Sequence, residues 1–126
     1  MESWLRFSQR WGPALAVMLV IFWASGTSSR DLPQFGGWDT LFKKGGHALG
    51  YALLGAAYVR GLRGERPAWP RGRVLGLALG LAMAYALTDE AHQLLTPGRH
   101  PALSDVAIDT AGAAVGVWLA GRLGRR

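Results

Sequence analysis

Cysteine is absent from this chain, which removes disulfide frameworks, thiolate metal sites and cysteine nucleophiles together. Charge is scarce: 17% of the residues are Asp, Glu, Lys or Arg, against about 25% in an ordinary soluble domain. No segment shows the alternation of a half-buried strand, and no HExxH or comparable metal-ligand spacing occurs. Disorder is excluded by the opposite feature. Half of the residues are apolar, whereas chains that stay unfolded have too few apolar side chains to offset the entropy of folding. At 126 residues there is room for a single domain.

The scarce charges are unevenly placed. Residues 11–29, 45–59 and 74–88 carry none, and between 106 and 121 the only one is Asp109. A helix needs about 20 mostly apolar residues to cross a bilayer. Extending each gap slightly predicts four transmembrane helices, at 11–28, 45–62, 73–95 and 102–121. The expected architecture is therefore an all-α integral membrane bundle, multi-pass in the cytoplasmic (inner) membrane. A soluble four-helix bundle competes, but it would keep a charged face on each helix and far more surface charge overall.

Ten of the fourteen basic residues fall in the N-terminal tail, the 60–73 connection and the C-terminal tail. Four spans put all three on one side, so the positive-inside rule makes both termini cytoplasmic. The 29–44 and 96–101 connections then face outward. The first segment also fits a secretory signal, with Arg6 and Arg10 before an apolar 13–23 stretch and Ala24-Ser25-Gly26 as a cleavage site. A sequence pI near 10.8 invites nucleic acid as a partner. The arginines, however, lie in a linker broken by Pro67 and Pro70, and contact with anionic membrane lipids explains them with fewer assumptions. No nucleic-acid partner is expected. Trp4, Trp11, Trp38, Trp69 and Trp118 lie near span boundaries, where tryptophan anchors helices at the interface.

Glycine, at 18 residues, is about twice as common as usual. Gly72, Gly76, Gly80 and Ala84 repeat every fourth residue on the third helix, Gly112, Gly116 and Ala120 on the fourth, and Gly46 with Gly50 on the second. Such rows let helix backbones approach closely in lipid, and they are compatible with a homo-oligomer as well as with packing inside one chain. Pro97-Gly98 predicts a tight turn, followed by Ser104 as a helix N-cap with Asp105 near the positive end of the dipole.

Ionisable residues gather at the predicted outer ends of spans two to four. Lys44, His47 and Tyr51 share a stripe of the second helix. Glu90 and Gln93 lie three apart on the third, with Tyr85, Asp89 and His92 on the adjoining stripe. Asp105 and Asp109 share a face of the fourth with Gly112 and Gly116. Ionisable groups cost about 2.5–3.5 kcal/mol each at the centre of a bilayer and normally face the bundle interior or water. The group therefore reads either as a binding or catalytic pocket or as a self-satisfied network holding the helices together. A metal would need His47 with Glu90, Asp105 or Asp109, and histidines in such tracts are more often hydrogen-bonded than metallated, so neither a metal nor a cofactor is expected. Ser104 and Thr88 lack any local mark of an activated nucleophile.

At these residues the sequence resembles the VanZ-like family of small membrane proteins, through KKGGHALGY (43–51), TDEAHQ (88–93), PGRHPALSD (97–105) and DTAGAAVG (109–116). The family pattern is a basic residue with H-x3-Y, an acidic pair with Q, PGR, then D followed by N/D-T-x-G. Asp109 stands where the family often has asparagine, and His92 departs from the pattern. The resemblance implies Lys44, His47, Tyr51, Glu90, Gln93, Arg99 and Asp105 as ligand-binding residues. It also implies a link to glycopeptide (teicoplanin) resistance through the founding member.

Two functional expectations follow. The first is a cell-envelope membrane protein whose outward polar pocket binds an anionic lipid headgroup or a cell-wall precursor. There Lys44, His47 and Arg99 would hold phosphate or carboxylate, and Glu90, Gln93 and Asp105 would orient it. The second is a membrane-embedded enzyme acting on a lipid-linked substrate, with His47 and Glu90 as an acid–base pair and Asp105 beside them.

Overall fold

The computed structural model describes residues 1–26, 36–98, 100 and 102–124. These form four α-helices, α1 (Glu2–Gly26), α2 (Asp39–Glu65), α3 (Arg71–Gln93) and α4 (Leu103–Leu123), with a single 3₁₀ turn, Gly36–Trp38, before α2. No strand occurs among the described residues, as the missing period-two pattern requires.

Two helices begin earlier than expected. The N-terminal tail is the start of α1, where no glycine or proline precedes Gly12 and an exposed Glu2–Arg6 pair at 3.8 Å spans one turn. α2 opens at Asp39, directly after the 3₁₀ turn. It stops at Arg66 (φ −130°, ψ 65°), the residue before Pro67, because a following proline disfavours the α conformation. The turn after α3 depends on Gly98, whose φ of 77° lies in the left-handed region open chiefly to glycine. Ser104 does not cap α4: Ala102 occupies the N-cap without a side-chain bond, and Ser104 lies inside the first turn beside Asp105. Of the four expected spans, α3 and α4 are long and apolar enough to cross a membrane by length and composition. The apolar stretch of α1 is shorter, after turns carrying Arg6 and Arg10, and α2 carries Lys43, Lys44, Arg60 and Arg63.

The helices run alternately up and down. At one end Arg10 pairs with Glu65 at 3.0 Å, the Arg60 guanidinium donates to the Gln9 carbonyl, and Arg66 and Arg73 flank the Trp69 ring at 5.7 and 4.1 Å from its centroid. At the other end Lys44 meets Asp105 at 3.4 Å, and Gln93 meets Ser25 at 3.4 Å. The arginines and the polar cluster thus occupy opposite ends of the bundle.

The seam between α2 and α4 is the closest in the molecule. A Cβ on Gly112 would strike the backbone of Ala48, one on Gly116 the backbone of Ala52, and one on Gly55 would lie 2.6 Å from the Ala113 carbonyl oxygen. The α4 row predicted from spacing is therefore a packing face. The α3 row is not. A Cβ on Gly72, Gly76 or Gly80 would meet nothing within 4 Å, and the face of α3 that packs is Val74, Ala78, Ala82 and Ala86, each at most 2% exposed. The cause lies further along the helix: Asp89, Glu90 and Gln93 continue the alanine face, and burying them turns the glycines outward. On α2, Gly50 packs against Ile21 while Gly46 faces open space.

Arg63 ties α2 to the end of α4, donating to the carbonyls of Ala120 (3.1 Å) and Gly121 (3.3 Å). Both carbonyls lie in the last turn of α4, where Ala120 also accepts from the Gly124 amide at 3.1 Å, and a cation suits the negative end of the dipole. Arg63→Ala is expected to lower stability by about 1.5 kcal/mol, roughly 5 °C in Tm, with Arg63→Lys recovering only part because lysine cannot fork across two carbonyls. Thermal unfolding in detergent, followed by circular dichroism, measures both.

Candidate functional site

Four helices build the polar end. His47 lies two turns into α2, and its Nδ1 stands 3.8 Å from Asp89 Oδ2 on α3 and 3.8 Å from Asp109 Oδ1 on α4. One turn further along α2, the fully buried Tyr51 donates its hydroxyl to Asp89 Oδ2 at 3.3 Å. The i, i+4 spacing of His47 and Tyr51 puts both on the face that meets the aspartates. Asp89 and Asp109 are 3% and 2% exposed, and Asp89 Oδ1 and Asp109 Oδ2 have no hydrogen-bond partner among the described residues. A buried carboxylate oxygen without a donor is costly in a low-dielectric interior.

Closer to the end of the bundle, Glu90 Oε2 accepts from the Ala102 amide at 3.1 Å, which ties α3 to the start of α4. Lys44 and Asp105 form their ion pair above it. Ser25, in the last turn of α1, accepts from Gln93 Nε2 and lies within reach of the Asp89 carboxylate. Beside it, His92 stacks on Phe22 with ring centroids 4.3 Å apart.

These residues surround a cavity of about 270 Å³ lined by Lys43, Lys44, His47, Glu90, Gln93, Gly98, His100, Asp105, Ile108 and Asp109. Lys43 and His100 reach it without an ion-pair partner among the described residues.

Of the residues singled out from sequence, the structure gathers Lys44, His47, Glu90, Gln93 and Asp105 around one cavity. Tyr51 lies behind it, bonded to Asp89. Arg99 lies outside the described residues. The carboxylates paired with His47 are Asp89 and Asp109 rather than Glu90. Asp89 was placed in the polar cluster but not among the ligand-binding residues, and Ser25 was missed altogether. Asp89 follows Ala82 and Ala86 by seven and three residues, the spacing of a shared helix face, so the alanine row carried a signal for its burial. Ser25 carried none, since it reaches the site only through the packing of α1.

An all-helical fold of four helices, with histidine and aspartates from three of them meeting beside a lysine-lined cavity, defines a small helical protein with its polar chemistry concentrated at one end. The chain belongs to the VanZ/LLP1 family, whose model matches residues 6–124. Comparison with curated proteins and with solved structures returns no match.

Proposed function

We propose that this chain is an integral, multi-pass protein of the cytoplasmic (inner) membrane, with its four helices as spans, and that its cavity binds the phosphate-bearing headgroup of an anionic lipid or of a lipid-linked cell-wall precursor. Large apolar side chains stand exposed on every helix, among them Leu15, Leu19 and Phe22 on α1, Leu49 and Leu53 on α2, Leu77, Leu81 and Leu87 on α3, and Val115, Trp118 and Leu119 on α4. Water tolerates contiguous apolar patches of only a few hundred Å² on a soluble monomer, whereas hydrocarbon imposes no such limit. The arginine end carries the excess of positive residues, which supports placing it and both termini on the cytoplasmic side. The cavity then opens outward, where cell-wall precursors are consumed.

The observation that carries the ligand class is the pair of donors without anionic partners among the described residues, Lys43 and His100, beside Lys44 at the cavity. Lysine is a strong phosphate binder as a point charge. Glu90 and Asp105 are held by Ala102 and Lys44 and set the rim's shape. The family membership supports a role in glycopeptide resistance.

The test uses purified protein in detergent with vesicles of phosphatidylglycerol or phosphatidylcholine and with a lipid-linked cell-wall precursor. Binding is expected to favour the anionic species, and Lys43→Ala and Lys44→Ala should each weaken it about tenfold, the loss of one charge-assisted contact. In cells, expression should lower teicoplanin susceptibility, and Lys44→Ala should remove that effect while the protein stays in the membrane fraction. Equal affinity for neutral and anionic lipids, unchanged by either variant, refutes the reading.

A further inference from the structure

The pocket reading leaves the buried floor of the cavity without a task. His47, Asp89 and Asp109 come from three different helices, and one donor atom from each lies within 4.8 Å of the others. Donors bonded to one ion at about 2.1 Å stand about 3–4.2 Å apart. Each aspartate oxygen is 3.8 Å from His47 Nδ1, within that range.

Two further observations point to a ligand rather than a self-satisfied network. Asp89 Oδ1 and Asp109 Oδ2 are buried without a hydrogen-bond partner among the described residues, and the residues are 3% and 2% exposed. Among the described residues the charge count is also unbalanced, with two carboxylates facing a single imidazole. The nearest lysine with a fixed bond, Lys44, is committed to Asp105. A dication beside two carboxylates and a neutral imidazole gives an electroneutral cluster, which is what a low-dielectric interior requires.

We propose that His47, Asp89 and Asp109 bind one divalent first-row transition-metal ion, of the zinc or manganese class, at the floor of the cavity. One imidazole with two carboxylates is a nitrogen–oxygen donor set suited to such ions. Calcium and magnesium favour all-oxygen sites, and copper(I) favours sulfur. Tyr51 holds the Asp89 carboxylate from behind at 3.3 Å, the type of outer contact that orients a metal ligand. His47 and Asp109 also line the cavity, so the ion would keep a coordination position facing it, as three-ligand zinc sites do. The sequence offered His47 and Asp109 as possible ligands but not Asp89, and no metal was expected, because the members are spread over three helices with no local motif.

This inference goes beyond the headgroup reading and does not depend on it, since its test uses metal alone. Full-length protein purified in detergent is stripped with EDTA, loaded with Zn²⁺ or Mn²⁺ and dialysed. The metal is then counted by mass spectrometry, and Tm is read with and without it. About one ion per chain is expected, with a metal-dependent rise in Tm, and calcium should compete poorly. His47→Ala and Asp109→Asn should each lose at least tenfold in affinity, Tyr51→Phe about tenfold, and Glu65→Gln, at the opposite end, none. Less than about a tenth of an ion per wild-type chain overturns the proposal. Wild-type stoichiometry in both His47→Ala and Asp109→Asn does the same. If Asp109→Asn fails to fold, the wild-type count together with His47→Ala decides.

Discussion

Gly116→Ala is expected to lose about 3 kcal/mol of stability, roughly 10 °C in Tm, and to accumulate poorly in cells. The reason is local. The added methyl would lie on the backbone of Ala52 across the α2–α4 seam, and a carbonyl in a helix cannot rotate away as a side chain can. Accommodating it means separating two helices that also carry His47 and Asp109, so the site should open with the seam. Gly112→Ala should behave alike, against Ala48. The controls are Gly76→Ala and Gly80→Ala, whose methyls would meet nothing and should be neutral or stabilising through the ~1 kcal/mol helix preference of alanine over glycine. All four variants share one chemical change, so thermal unfolding in detergent isolates packing from propensity. A Gly116→Ala protein melting with wild type would mean that the seam is looser than described.

In metal-free protein, Asp109→Asn is expected to raise Tm by several degrees, about 1 kcal/mol. Asp89 and Asp109 both approach His47 at 3.8 Å, and removing one carboxylate leaves the histidine its other partner. Breaking a simple buried ion pair typically costs about 3–5 kcal/mol because an uncompensated charge remains. Here the excess of acid is relieved instead. Stability would rise while metal-dependent stabilisation disappears, the trade expected where a site is held in a destabilised arrangement for function. A fall in Tm on Asp109→Asn would identify the cluster as structural glue between α2, α3 and α4. The opposing directions of the two outcomes make a single melting curve decisive.

Much of the fold is legible in the amino-acid sequence. Long uncharged runs without strand alternation could only be helices, and the loop signals at Pro67, Pro70, Pro97 and Gly98 separated α2, α3 and α4 to within a few residues. The exceptions were starts: α1 runs back to Glu2 and α2 to Asp39, because charged residues of good helix propensity extend a helix beyond its apolar stretch. Ser104 was a plausible cap by type, but the chain enters α4 two residues too early for it. The gathering of Lys44, His47, Glu90, Gln93 and Asp105 was also legible, since alternating helices of similar length bring those positions to one end.

Helix rotation was a different matter. Glycine at every fourth residue marks a stripe, yet nothing in the spacing says whether that stripe faces a neighbour or the outside. The α4 stripe packs and the α3 stripe does not. Asp89 and Glu90 are adjacent in sequence and about 100° apart around α3, so the identity of the acid that reaches His47 turns on that same rotation.

Composition and charge spacing alone therefore determined that this chain is all-α, with most of its arginines at one end and the cluster around His47 at the other, because uncharged runs and short connections permit little else. Only the tertiary structure decided that His47 meets Asp89 and Asp109 while Glu90 bonds the Ala102 amide. That choice rests on how the alanine face of α3 and the glycine seam of α4 seat against their neighbours, and such seating is set jointly by all the helices, with no single segment of sequence encoding it.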